Sequence, residues 1–239
     1  MRPAELETYR LHAGLSSYQR RESKLLKFLA DNIDHKTVVA FSAGKDSSVA
    51  AHAAHSVAPH IPILMVDPGC PTHWTANERD QWLDYAHDIG WDLKLFAWDK
   101  WGDVAGAKSV TQHQRMAHSG MFRDLHRWMS RFSYDCTITG MRAQESRGRL
   151  MHRRVHGQVF QSRDGKRWLM PLADWRTTDI WAYIVKHGLP WLGIYDLMGA
   201  GARNGILGRS GDRFGRGQNI HRHYPEYLSL ARELMPDLF

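Results

Sequence analysis

The segment Val38-Val-Ala-Phe-Ser-Ala-Gly-Lys-Asp-Ser-Ser48 constrains this chain more than any other. Val38 to Phe41 is an all-apolar run of the kind found in a strand buried on both faces of a parallel sheet. Residues 46–56 then read as a helix, with Ala50, Ala51, Ala53 and Ala54 suited to close packing on that sheet. The loop between them opens at a helix N-terminus. Unpaired N–H groups and a partial positive charge there favour a phosphate. Gly44 is expected to supply a positive φ and close backbone approach. Ser42 and Ser47 would add hydroxyl donors and Lys45 a full positive charge, while Phe41, Ala43 and Ser48 complete the cradle. The four-residue spacer between glycines of a Walker A loop is absent, which disfavours γ-phosphate transfer of that class. The bland alternative is a serine-capped turn that includes a lysine.

The remaining pattern extends that unit. Residues 4–33 read as one helix with the apolar stripe Leu25, Leu26, Phe28 and Leu29. Strands follow at Ile61–Val66, Leu93–Trp98 and Thr137–Thr139, separated by helices at Trp74–Ile89 and Met121–Phe132 and by a weakly patterned loop over 100–116. The order β-α-β-α-β-α-β predicts an α/β fold: an open, mostly parallel twisted sheet with helices on both faces. Ligands in such sheets bind beyond the carboxyl ends of the strands. The loops to inspect are therefore the Ser42 loop, Asp67-Pro68-Gly69 and Gly140-Met141-Arg142. Beyond residue 150, Asp164-Gly165 within Gln158–Met170 signals a hairpin. Thr178 is a plausible N-cap for a helix over Asp179–His187 that Gly188 closes. Residues 199–219 are rich in glycine and arginine, and Pro225–Phe239 would make a last helix. The expected organisation is a helical segment over 1–35, a nucleotide-binding domain over 36–198 and a small C-terminal extension over 199–239.

Composition excludes several classes. Two cysteines in 239 residues, Cys70 and Cys136, rule out a disulfide framework and a four-cysteine zinc or iron–sulfur site made by this chain alone. No stretch approaches the roughly 18 apolar residues of a membrane span, and Met1-Arg-Pro-Ala-Glu-Leu-Glu lacks a signal-peptide core, so a cytoplasmic protein is expected. His152 and His156 are four apart, but arginines flank them and no third metal ligand is near. The net charge of +7 suits an anionic ligand. Its surplus is local: Arg142–Arg154 and Arg203–Arg222 hold five arginines each.

Ser42-Ala-Gly-Lys-Asp-Ser47 after the first strand resembles the signature of the PP-loop ATP pyrophosphatases, and within them the chain is most similar to the phosphoadenosine phosphosulfate (PAPS) reductase group. Val66-Asp-Pro-Gly69 looks like that group's Asp-Thr-Gly segment. Gly140-Met-Arg-Ala-Gln-Glu-Ser-Arg-Gly-Arg149 resembles its arginine loop. Pro171-Leu-Ala-Asp-Trp175, Asp179-Ile-Trp-Ala-Tyr183 and Leu189-Pro-Trp191 resemble its later stretch. The likeness runs from about residue 36 to 198. It implies ATP, PAPS or adenylyl sulfate as substrate, with Mg²⁺, and cleavage of the α–β phosphate bond of ATP. It also implies a nucleotide-binding set of Phe41, Ser42, Ala43, Gly44, Lys45, Asp46, Ser47, Ser48, Asp67, Gly140, Arg142, Glu145 and Ser146. Lys45, Asp46, Arg142 and Arg149 would be catalytic, and Asp46 either orients Lys45 or holds Mg²⁺. As a first-turn residue, Asp46 could equally serve the helix dipole alone. On chemistry alone, Arg142, Arg147 and Arg149 can make forked bonds to phosphate or sulfate, and Glu145 can fix an arginine's orientation. Trp175, Trp181 and Trp191 read as packing residues rather than base-stacking platforms.

One departure matters. The group's reductases attack with a cysteine near the C-terminus, and this sequence has none after Cys136. Thiol chemistry needs a thiolate, so reduction of PAPS is disfavoured. Cys70 is a weak substitute, and Cys136 reads as core. Three functions remain: an ATP pyrophosphatase that adenylates an acceptor such as sulfate or a carbonyl oxygen, a thioredoxin-dependent reductase, and a nucleotide-binding module. The module would meet nucleic acid or a protein partner through Arg203–Arg222. A homodimer is left open.

Overall fold

Strand β1, Thr37–Phe41, is the axis around which the chain is laid. The computed structural model describes residue 1 and residues 3–67, 76–100, 110–163, 165–193, 195–196 and 200. Pro68, Gly69, Cys70, Asp164, the Arg203–Arg222 segment and the expected Pro225–Phe239 helix therefore lie outside the described residues. On one side β1 pairs in parallel with β2, Pro62–Asp67, which pairs in parallel with β3, Asp92–Ala97. On its other side lies β4, Cys136–Ile138, also parallel, with Val39 opposite Ile138. Beyond β4 comes β6, Arg167–Leu169, and the antiparallel edge strand β5, Val159–Gln161. The order β3-β2-β1-β4-β6-β5 makes an open, mostly parallel α/β sheet. Its winding reverses beside β1, and a crevice forms at such a point because the loops from neighbouring strand ends diverge to opposite sides.

The central strands β1, β2 and β4 are buried on both faces, which explains apolar runs in place of alternation, whereas the outer strands β3 and β5 are partly exposed. Val39, Phe41, Ile63 and Met65 point into a large core shared with helices α1 (Pro3–Gly14), α2 (Ser16–Asn32), α3 (Lys45–Val57), α4 (Ala76–Asp88) and α7 (Thr177–His187). Val38, Leu64 and Phe96 point the other way, onto Met121 and Leu125 of α5, Val110–Met129. Trp175 and Trp181 are core residues, and Trp191 packs edge-on against Trp181 at 6.2 Å. No helix among the described residues is long and apolar enough to cross a membrane.

Several local expectations are corrected. The single helix over 4–33 is two, because Leu15 is extended (φ −69°, ψ 134°) and accepts the N–H of Gln19 at 3.0 Å to start α2. Residues 110–116, read as loop, begin α5; their polar sequence carried no apolar stripe to mark a helix. The helix read from Asp179 starts at Thr177, where the Asp179 carboxylate accepts the Arg176 N–H at 2.8 Å, so Thr178 is inside the helix and is not its cap. Gly188 closes α7 in the left-handed region (φ 64°), as glycine does without a Cβ penalty. The hairpin pairs as expected, Val159 opposite Leu169. The parallel docking of β6 on β4 was not readable from local pattern.

Carboxylates tie the N-terminal helices down. Asp179 is fully buried and accepts from Arg21 Nη1 at 2.6 Å, with His12 Nε2 at 2.8 Å. Burial alone would raise its pKa, but hydrogen bonds from His12, the Arg176 N–H and Arg21 outweigh that and hold it below the ordinary 3.8. Glu22 accepts from Lys186 Nζ and pairs with His187 Nε2, each at 2.7 Å, and is lowered in the same way against its burial.

Candidate nucleotide-binding site

At the end of β1 the Phe41 ring turns inward, edge-on to Trp82 and Trp91 at 5.0 and 5.3 Å. It anchors the loop to the core, so any ligand contact at this position is left to the backbone. Ser42, Ala43 and Gly44 then turn the chain into α3. The positive φ expected of Gly44 belongs instead to Ala43 (φ 53°), while Gly44 is extended (φ −74°, ψ 147°). A left-handed alanine costs on the order of 1–2 kcal/mol, and side-chain hydrogen bonds over-determine the turn. Ser47 Oγ accepts the Ser42 N–H at 3.2 Å and donates to Gly44 O at 2.9 Å; Ser48 Oγ donates to the same carbonyl at 3.0 Å. Ser47 and Ser48 thus hold the loop's shape, and Ser42 remains exposed, its hydroxyl 3.2 Å from Ser47 Oγ.

Two cations share one carboxylate at the start of α3. Lys45 is buried, with Nζ 3.0 Å from Asp46 Oδ2. Asp46 Oδ1 lies 2.6 Å from Nε of Arg142, also buried. That second contact is close but out of line, so neither Asp46 Oδ1 nor Arg142 Nε has an aligned hydrogen bond among the described residues. Arg142 Nη1 also faces Trp175 O at 3.4 Å and Thr177 Oγ1 at 3.3 Å. Two positive groups and one negative leave the cluster one positive charge in excess, at a helix N-terminus of the same sign.

Gly140 makes this meeting sterically feasible. A Cβ there would sit 2.6 Å from Asp46 C and 2.7 Å from Asp46 O and Ser47 N. The end of β4 thus lies against the first turn of α3, and Arg142, two residues later, reaches Asp46. Thr139, between β4 and Gly140, has a buried hydroxyl without a hydrogen-bond partner among the described residues.

The stretch read as an arginine loop is a 3-10 turn, Ala143–Glu145, followed by helix α6, Arg147–His156. Glu145 accepts the Arg142 N–H at 3.0 Å and pairs with Arg149. Ser146 Oγ accepts the Arg149 N–H at 3.2 Å as the cap of α6, so the hydroxyl assigned to nucleotide closes a helix. The arginines do not converge equally. Arg142 joins the Lys45–Asp46 cluster, Arg149 is half-exposed on Glu145, and Arg147 is exposed. Asp67 is buried at the end of β2, with Arg79 Nη1 at 3.5 Å. No group of three His, Cys, Asp or Glu suited to a metal occurs among the described residues. His152 and His156 stand with rings 4.6 Å apart, and the His152 ring lies against Phe160. Cys136 is buried at the amino end of β4, opposite to the loops, with Arg167 Nε 3.3 Å from its sulfur.

Several residues of the site were missed in the sequence. The Trp175 carbonyl and Thr177 hold Arg142, and Gln144 Nε2 donates to the same carbonyl at 3.0 Å. Backbone carbonyls leave no trace in side-chain pattern. Tyr195 Oη accepts the Lys45 N–H at 3.3 Å across 150 residues of sequence, which no local signal reports.

Residues 36–199 match the family model of the phosphoadenosine phosphosulfate reductase domain. The chain is 25% identical over 213 residues to a sulfate adenylyltransferase subunit 2 of Chelativorans sp. (strain BNC1), covering 77% of this chain and 68% of the relative. It is 27% identical over 201 residues to a protein of that name from Rhizobium meliloti (strain 1021), covering 73% and 64%. A phosphoadenosine 5'-phosphosulfate reductase of Alkalilimnicola ehrlichii is 23% identical over 201 residues, covering 79% of this chain and 75% of the relative.

Proposed function

The chain belongs to the phosphoadenosine phosphosulfate reductase domain family, and from that membership we propose that it binds ATP at the Ser42–Ser48 loop and transfers AMP to an oxyanion acceptor. The observation that carries this reading is the buried Lys45–Asp46–Arg142 cluster, positive in excess, at the N-terminus of α3. A phosphate group would neutralise the cluster's excess positive charge. An acceptor oxygen attacks the α-phosphorus; the bond from that phosphorus to the bridging oxygen breaks, and pyrophosphate leaves with the electron pair. Lys45 and Arg142 stabilise the charge gathered on the phosphate oxygens, with no reorganisation needed because Asp46 and the Trp175 carbonyl already hold them. Arg149, held on Glu145, would offer a second cation to the acceptor or to the pyrophosphate. Mg²⁺ would be carried by the nucleotide's own phosphates, with Asp46, the carboxylate of the cluster, as the protein ligand only if it turned from Arg142. It would supply further charge neutralisation.

Adenylyl transfer is favoured over reduction because the described cysteine, Cys136, sits at the amino end of β4 beneath Arg167, away from the loops. The sulfate adenylyltransferase relatives are named as subunits, and sulfate is the acceptor to try first, with and without a partner subunit of that kind. Pyrophosphate release from ATP, measured with a panel of oxyanion acceptors, is expected for the wild type and lost in Lys45→Ala. Absence of release with every acceptor, or release that persists in Lys45→Ala, rejects the reading. Sulfite from PAPS and thioredoxin would favour the reductase instead.

A further inference from the structure

The chain that leaves α7 turns back toward the start of α3. Gly193 N–H donates to Glu78 Oε1 at 2.7 Å, fastening this segment to α4, and Tyr195 N–H donates to Leu192 O at 3.0 Å. Tyr195 is 1% exposed and packs edge-on against Trp181, ring centroids 5.1 Å apart. From there it meets Lys45 twice. Its hydroxyl accepts the Lys45 backbone N–H at 3.3 Å, and its ring lies under the Lys45 ammonium, 5.5 Å from Nζ to centroid.

These contacts answer a problem the site poses. Lys45 is a buried ammonium on a flexible four-carbon stem, and its carboxylate partner Asp46 is shared with Arg142. Half a carboxylate does not fix the direction of such a stem. An aromatic face does, because the ammonium is drawn to the ring quadrupole most strongly where water is excluded. We propose that Tyr195 is a positioning residue for the nucleotide, acting through Lys45: the ring aims the ammonium and the hydroxyl pins the first turn of α3. Burial pushes the phenol's pKa up, so the group stays a neutral hydroxyl that accepts the N–H. This rests on the nucleotide reading of the site.

A double-mutant cycle on the full chain tests it, with ATP binding measured by calorimetry and melting temperature followed in parallel. Tyr195→Leu removes the ring and is expected to weaken ATP by about tenfold, the equivalent of one strong cation–π contact. Tyr195→Phe keeps the ring and should stay within about threefold of wild type, since it loses one neutral hydrogen bond. In a Lys45→Met background, Tyr195→Leu should cost no more than the about threefold allowed for Tyr195→Phe, because the ammonium the ring acts on is gone and only the hydroxyl's bond to the backbone N–H remains to be lost. Tyr195→Met, unbranched and able to fill an irregular gap, replaces the leucine variant if that protein melts at assay temperature. Unchanged ATP binding in the ring-less variants overturns the proposal, as does a loss of the same size with and without Lys45, which marks a purely structural tyrosine. A wild type that binds none of ATP, PAPS or adenylyl sulfate removes the nucleotide reading itself and Tyr195's role with it. Wild-type binding with an inert Tyr195→Leu removes Tyr195 alone.

Discussion

Gly140 shows how much one missing side chain decides. The carboxyl end of β4 approaches the Asp46–Ser47 peptide so closely that a Cβ would lie 2.6–2.7 Å from its atoms, and those atoms are backbone that cannot rotate away. Gly140→Ala is therefore expected to push β4 and α3 apart. The predicted cost is about 1–3 kcal/mol, as for other overpacked sites, read as a lower urea midpoint. ATP affinity should fall further than stability alone explains, because Arg142 would lose its reach to Asp46. A variant with normal stability and normal ATP affinity rejects this account. Glycine, lysine and aspartate at these positions were visible in the sequence as a phosphate motif. Which residue of the turn is left-handed was not, since Ala43 takes that conformation through hydrogen bonds made by side chains further along the chain, Ser47 above all.

Among the elements, α7 combines a cap, a core helix and an anchor for the N-terminal pair. Asp179 at its start is buried against Arg21 and His12. Asp179→Ala removes the acceptor for His12, Arg21 and the Arg176 N–H and leaves the partly exposed Arg21 to solvent, so a loss of about 1–3 kcal/mol is expected, seen as a lower thermal midpoint. The pH dependence has two limbs. Burial, with His187 and His55 adding, lowers the His52 pKa to about 4 from its ordinary 6.5; Glu22 opposes this, and Tyr183 Oη lies 2.9 Å from the ring. The unfolded chain thus binds a proton near pH 6.5 that the folded chain refuses until about 4, and stability falls with acidification across that window. Asp179 and Glu22 are depressed below 3.8 and 4.5, so their contributions, present above those values, are lost as pH falls further through their folded pKa values. Urea midpoints at a series of pH values should show both limbs, and His52→Gln should flatten the upper one while leaving the lower. An unchanged upper limb in that variant assigns it elsewhere.

At the scale of the whole molecule, the segment over 1–35 is built into the same core as the sheet. Tyr9, Tyr18, Leu25 and Leu29 are buried there beside Phe41, Trp175 and Trp181. Each is worth roughly 1.5–3 kcal/mol of burial, which together approaches the about 5–15 kcal/mol by which a domain is stable. A chain beginning at residue 36 is predicted to lack a cooperative melt and to expose apolar surface to a hydrophobic dye. A sharp transition near the full chain's would refute that.

Residue types and their order were sufficient for the parallel α/β sheet, for the strand–turn–helix after β1 and for the family, because buried strands, helix starts and close-approach glycines leave short-range marks. Tertiary structure alone decided that Asp46 meets both Lys45 and Arg142, that Ser146 caps α6, and that Tyr195 and the Trp175 carbonyl complete the site. Those contacts join residues brought together by the crossover of β4 beside β1 and by the turn after α7. Their partners are chosen by packing across the sheet, a long-range constraint that no local spacing encodes.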